Sequence, residues 1–220
     1  MNIAKYMLAS CGLALAIAPA YAAEAPHHAP MLVAQADTAA PVLAPKLQAA
    51  LRQLWHGHVV NTRDYAFAVK AGDSKRAAHA ADAVVANAKQ LADAVGGFYG
   101  KAAGEQMLTL LAGHWGAVKA MTDAGHDQDK AASAKAVSTL MANANEISLF
   151  LSAANPYLPA DAVRGLLVAH GGHHVAQIGE VMSGDLKGEQ ATWKAMQAHM
   201  DVIADAMAAA LAKQFPKKAA

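Results

Sequence analysis

The sequence predicts an all-α protein, an up-and-down bundle of three repeated helical hairpins and six helices. Three observations predict it. From Pro45 onward the chain is dominated by Ala, Leu, Met, Lys, Gln and Glu, the strong helix formers. Apolar residues recur at i, i+3, i+4 and i+7, and no stretch alternates as a half-buried strand would. The hairpin pattern is also written three times at a 56-residue period, a spacing that defines architecture before any other feature. His58, His114 and His170 mark equivalent positions in the first halves of the hairpins, and Asn87, Asn143 and His199 in the second halves. Leu54, Leu110 and Leu166 keep the same step, as do Leu91, Ile147 and Ile203.

Each element follows from its own stripe and stop signal. The first helix carries Leu47, Leu51, Leu54, Trp55, His58, Thr62 and Tyr65 and ends at Ala71-Gly72-Asp73. The second shows Val84, Asn87, Leu91 and Val95, with a stop expected at Gly96-Gly97. Met107, Leu110, Leu111, His114, Val118 and Met121 form the third, up to Gly125. Leu140, Asn143, Ile147 and Leu151 form the fourth, closed by Asn155-Pro156. The fifth runs through Val163, Leu166, Leu167, His170, His174 and Val181 to Gly184-Asp185. The sixth runs through Trp193, Met196, His199, Ile203 and Met207 toward Pro216.

Ahead of the bundle, residues 1–22 read as a secretory signal peptide: basic Lys5, an apolar stretch from Met7 to Ala18, then Ala20-Tyr21-Ala22 as a small-x-small cleavage site. Residues 23–45, proline-rich and containing His27 and His28, read as a disordered tether, and residues 46–216 as a single helical-bundle domain. The expected location is therefore periplasmic or secreted. Cleavage would remove Cys11, the only cysteine, leaving neither disulfides nor thiolate ligands. It would also remove Lys5 and balance the charges, which argues against nucleic acid as a partner. No stretch after residue 22 is apolar for long enough to form a transmembrane helix.

The six repeated polar residues are separated by 29, 27, 29, 27 and 29 positions. In antiparallel helices with short connections, such spacing brings all six to one height. A layer of hydrogen-bonding groups in an aliphatic interior must be satisfied by something. Metal binding is the leading reading, because imidazole ligates Cu, Zn, Ni and Fe and bundle cores often frame such sites. His170 and His174, one turn apart, and His199 across the hairpin are the foremost candidates. His58 and His114 join if the layer closes, and His173 lies on an adjacent face with Gln177 and Glu180. Met196 and Met200 would offer thioethers to Cu(I).

Two other readings use the same residues. The His/Asn layer could only fix helix register, in a structural or interaction protein, or the bundle could hold non-covalent haem or another small molecule. Glycine within one residue of each layer histidine (Gly57, Gly113, Gly171) requires a neighbouring backbone or a bound group that favours the missing side chain. His56, His79 and His126 are expected in solvent, Asp201 and Asp205 at the surface, and most methionines in the core. No phosphate-binding glycine loop, nucleophile elbow, His-Glu-x-x-His pair, Cys-x-x-Cys-His or paired Glu-x-x-His is present, so catalysis has no support beyond the histidines.

The motifs resemble a poorly characterised bacterial all-helical repeat family, with Leu-Leu-x-x-His and Asn-Ala-x-x-Ile-Ala-x-Phe-Leu segments. Leu110, Leu111 and His114 match the first, and Asn143, Ala144, Ile147, Phe150 and Leu151 the second. Thr62-Arg63, Tyr99-Gly100, Asn155-Pro156, Asp205 and Gln214-Phe215-Pro216 also match, so the resemblance spans most of residues 47–216. It implies an all-α fold and no transferable activity. Some members carry enzyme-like labels such as glycosyltransferase, which no residue here supports. The chain departs from that pattern at His174 and Gln177, where the family has threonine and glutamate.

Overall fold

The computed structural model describes residues 44–219, so the signal-peptide and tether expectations at residues 1–43 lie outside the described residues. Six long helices follow one another: α1 (Pro45–Lys70), α2 (Ser74–Tyr99), α3 (Lys101–His126), α4 (Lys130–Ala154), α5 (Ala160–Ser183) and α6 (Leu186–Gln214). A single turn, α7 (Pro216–Ala219), closes the chain. Among the described residues there is no strand, and no helix is long and apolar enough to cross a membrane.

Sequence neighbours pack against one another, and α6 returns to α1, so the six helices form a closed ring. The odd-numbered helices also touch each other. α1, α3 and α5 therefore line the bundle axis, while α2, α4 and α6 sit outside, each between two of them. Residues facing inward from the odd helices meet at the centre.

The two ends are built differently. Every odd-to-even turn uses an aspartate cap: Asp73 accepts from the Arg76 amide, Asp129 from Ala131 and Ala132, and Asp185 from Gly188. Each such cap contributes about 1 kcal/mol by satisfying amides that helix geometry leaves unpaired. The even-to-odd turns lack side-chain caps and pass through Gly100 and through residues 155–159.

Two expected boundaries shift. Pro45 is the first residue of α1 rather than the last of the tether, suited to that position by its fixed φ and missing N–H. α2 does not stop at Gly96-Gly97 but continues to Tyr99. The cause is tertiary: a Cβ on Gly104 would lie 3.1 Å from the Gly96 Cα and 3.0 Å from the Ala92 carbonyl oxygen. The glycines let α2 and α3 cross backbone to backbone. Gly100, at φ 95°, makes the actual turn.

Candidate metal centre

Four imidazoles meet on the axis. His58 comes from α1, His114 from α3, and His170 and His174 from successive turns of α5. One ring nitrogen from each can be chosen so that all four lie within 4.8 Å of one another. All four residues are at most 5% exposed. Their ring centroids are separated by 4.4 Å for His170–His174 and by up to 5.9 Å for His58–His174. Four points at mutual contact form a tetrahedral cluster. Around an ion with Zn–N-type bonds of about 2.0–2.1 Å, tetrahedral donors stand roughly 3.3 Å apart. The Nε2 atoms of His170 and His174 are already 3.1 Å apart, whereas the set as a whole spans up to 4.8 Å, so His58 and His114 would have to draw in to close on an ion.

His174 departs from the 56-residue spacing expected from the sequence. Its equivalents in the first two hairpins are Thr62 and Val118. Thr62 turns its hydroxyl onto the carbonyls of its own helix, at His58 and Val59. Three equivalent histidines and this one substitution make four donors.

The electrostatics suit ligation. Burial pulls His58 down to about 3, helped by neighbouring His114. Burial likewise lowers His114 to about 4, partly countered by the nearby Asn143 side-chain amide, which falls short of hydrogen-bond geometry. His170 and His174 lie well below the usual histidine range, first through burial and then through the other rings. All four are therefore neutral near pH 7, the form that ligates metal. Both nitrogens of His58 and of His114, and Nδ1 of His170, are buried without a hydrogen-bond partner. Unpartnered buried polar atoms are costly and rare, and a metal ion is a group that these five could satisfy.

The second-half residues of the polar layer have another task. Asn87 donates to the Leu54 carbonyl at 2.9 Å, Asn143 to the Leu110 carbonyl at 3.0 Å, and His199 Nε2 to the Leu166 carbonyl at 2.9 Å. Each ties an even helix to the odd helix before it. Register is thus held by Asn87, Asn143 and His199, and not by the axial histidines. This also explains two of the glycines: a Cβ on Gly57 or Gly113 would come within 3.2 or 3.1 Å of the Asn87 or Asn143 amide nitrogen. A short asparagine reaches the backbone only where that side chain is missing. The third hairpin has Ala169 at the matching place and the longer His199 opposite it. Gly171, by contrast, makes room for the Met141 methyl group, since a Cβ there would lie 2.8 Å from it.

The sequence-derived ligand set is therefore revised. The structure joins His58, His114, His170 and His174, and keeps His199 and His173 apart from them. His199 spends its Nε2–H on a carbonyl and faces His173, with ring centroids 5.4 Å apart. Met196 and Met200 are fully buried in the apolar core. Asp201 and Asp205 are surface charges pairing with His56 and Arg52 of α1.

Sequence reasoning missed a buried ion pair. Glu189, 1% exposed, accepts from Arg63 Nε at 2.6 Å and Nη2 at 2.8 Å, and from Gln177 Nε2 at 2.9 Å. The Arg63 guanidinium lies over the Phe67 and Trp193 rings, both at 4.9 Å. These contacts clamp α1, α5 and α6. The polar Gln177, one turn beyond His174, was the available signal.

Beside the cluster, toward the uncapped end, the axis is hollow. The cavity measures about 60 Å³ of space open to the centre of a water-sized sphere. His58, His114 and His170 form one wall, and Trp55, Leu111 and Ile147 are among its apolar lining. Comparison with family models, curated proteins and solved structures found no match. Fold and site together define a class: an all-helical bundle with a buried four-histidine cluster able to hold a metal ion.

Proposed function

We propose that the protein binds one transition-metal ion, without catalysing a reaction, through His58, His114, His170 and His174. The observation that carries this reading is the convergence of four neutral imidazoles whose nitrogens are buried and mostly unpartnered. A register-fixing role alone leaves those nitrogens unexplained, because Asn87, Asn143 and His199 already pin the hairpins. Haem fits poorly, since the cavity, at about 60 Å³, is less than half the size of one that holds only benzene, about 150 Å³.

Charge narrows the choice of metal. The donor set is neutral and contains no carboxylate, so the ion's full charge stays in a low-dielectric interior. That burial cost grows with the square of the charge. A monovalent ion is therefore favoured over a divalent one, which points to Cu(I) among the metals that accept imidazole. We further propose that the chain is exported to the periplasm or outside the cell, a reading supported by the Lys5, apolar and Ala20-Tyr21-Ala22 pattern.

Equilibrium dialysis of untagged protein with Cu(I), Zn(II), Ni(II) and Fe(II) tests the assignment. Wild type should take up one equivalent, tightest for Cu(I), and a His170→Ala/His174→Ala variant should take up almost none. Equal uptake by the two proteins rules the site out. Bound metal should raise Tm by mass action, and a chelator should lower it again. N-terminal sequencing of protein from a periplasmic fraction, beginning at Ala23, tests export.

A further inference from the structure

The hollow beside the cluster does not follow from metal binding. A site for an ion alone needs no adjoining space, and packed protein interiors keep few voids larger than a water molecule. The helical pattern also continues through this region without interruption. The void nevertheless persists among large side chains, including Trp55, Leu91, Met107 and Leu151.

Its chemistry is specific. The wall is mostly hydrocarbon, with the thioethers of Met107 and Met207. Its polar groups are the imidazole edges, the buried and unpartnered indole N–H of Trp55, and the Tyr99 hydroxyl, which is already engaged with Gln214 and Asn155, both at 2.9 Å. Water requires two to four polar partners to stay in such a space. Here a bound metal would take the imidazoles, which leaves the single Trp55 N–H, too few partners to hold water. The occupant should therefore be neutral and apolar. Its size is also bounded, because benzene is held by a cavity of about 150 Å³, more than twice this one.

We propose that this cavity is a chamber for a small neutral gas molecule of one or two heavy atoms, the class of dioxygen, nitric oxide and carbon monoxide. Gas uptake is independent of the metal. Contact between gas and metal rests on the four-histidine reading. The wall shared by His58, His114 and His170 would set the molecule against the ion.

Xenon is the probe for the cavity. Metal-free wild type should give a saturable xenon-129 shift. Ala144→Leu, which adds three carbon atoms at a buried wall position, should weaken uptake at least tenfold. Ala94→Phe, at the half-buried rim, serves as a second filling variant should the first not fold. Absence of a saturable shift, or equal uptake by a folded filling variant, overturns the chamber. Benzene binding as tight as xenon's overturns the size assignment. The His170→Ala/His174→Ala variant should lose copper yet keep xenon, so xenon uptake without copper uptake leaves the chamber standing and removes the metal reading. Four imidazoles fill the coordination of Cu(I), so in loaded protein carbon monoxide should lie beside the ion without bonding to it and give one narrow C–O infrared band, distinct from that of dissolved gas, that Ala144→Leu abolishes. A loaded, xenon-binding protein with no such band overturns the contact between gas and metal.

Discussion

The histidine layer divides the bundle into two halves that share a helical pattern and differ in packing. Toward the capped end, Val84, Val118, Leu140 and Val181 are at most 1% exposed, and Tyr65 and Trp115 pack edge to face at 5.0 Å. The Arg63–Glu189–Gln177 clamp and the three aspartate caps lie in this half. Toward the uncapped end the side chains are larger, yet the axis is open. There the ends of α2, α4 and α6 are joined by Tyr99, Asn155 and Gln214, with Phe215 packed edge to face against Tyr99 at 5.1 Å. Periodic hydrophobicity thus places a residue inside without filling the interior. Stability is concentrated in one half, and space for a ligand in the other.

The layer between the halves should give the largest effect. In metal-free protein the four axial histidines are neutral when folded, whereas unfolded histidine titrates near 6.5. Below that pH the unfolded chain holds more protons, so stability falls with pH. The loss is up to about 1.4 kcal/mol per pH unit for each ring, and roughly 5 for four. It continues to about pH 4 for His114 and about 3 for His58. With a total stability of about 5–15 kcal/mol, circular dichroism should show unfolding between about pH 4 and 5.5. Unchanged stability from pH 7 to 4.5 would mean the rings reach water.

Core truncations compare the halves directly. Leu140→Ala, in the filled half, should cost about 3–5 kcal/mol in urea unfolding, and Leu111→Ala, beside the void, about 2–3. The smaller cost follows because a side chain facing empty space has fewer contacts to lose. Equal costs would argue that the cavity closes in solution.

Next comes the clamp. Glu189→Gln keeps the shape and removes the charge facing Arg63, whose side chain is 30% exposed and partly hydrated. The expected loss is about 1–3 kcal/mol, below the range for a fully buried pair. A variant with wild-type Tm would show that Gln177 and solvent suffice.

The smallest effects concern the glycines. Gly116→Ala meets nothing within 4 Å and should stabilise by about 0.5–1 kcal/mol through helix propensity. Gly113→Ala should lose that gain, because its Cβ would press on the Asn143 amide at 3.1 Å. If both stabilise equally, the amide is not pinned as described.

The helices and their order could be read from the sequence, because hydrophobic period, caps and stops are local properties. The depth shared by His58, His114 and His170 could be read too, since a constant rise per residue converts spacing into height. Height does not determine azimuth. Only the closed ring, with odd helices inside, decided that His174 joins His58, His114 and His170 while His199, on an outer helix, turns to a backbone carbonyl of α5. The pairing of Glu189 with Arg63, 126 residues apart, and the void beside the cluster are likewise tertiary. Both depend on which surfaces of separate helices meet, and a one-dimensional pattern of apolar positions carries no record of that.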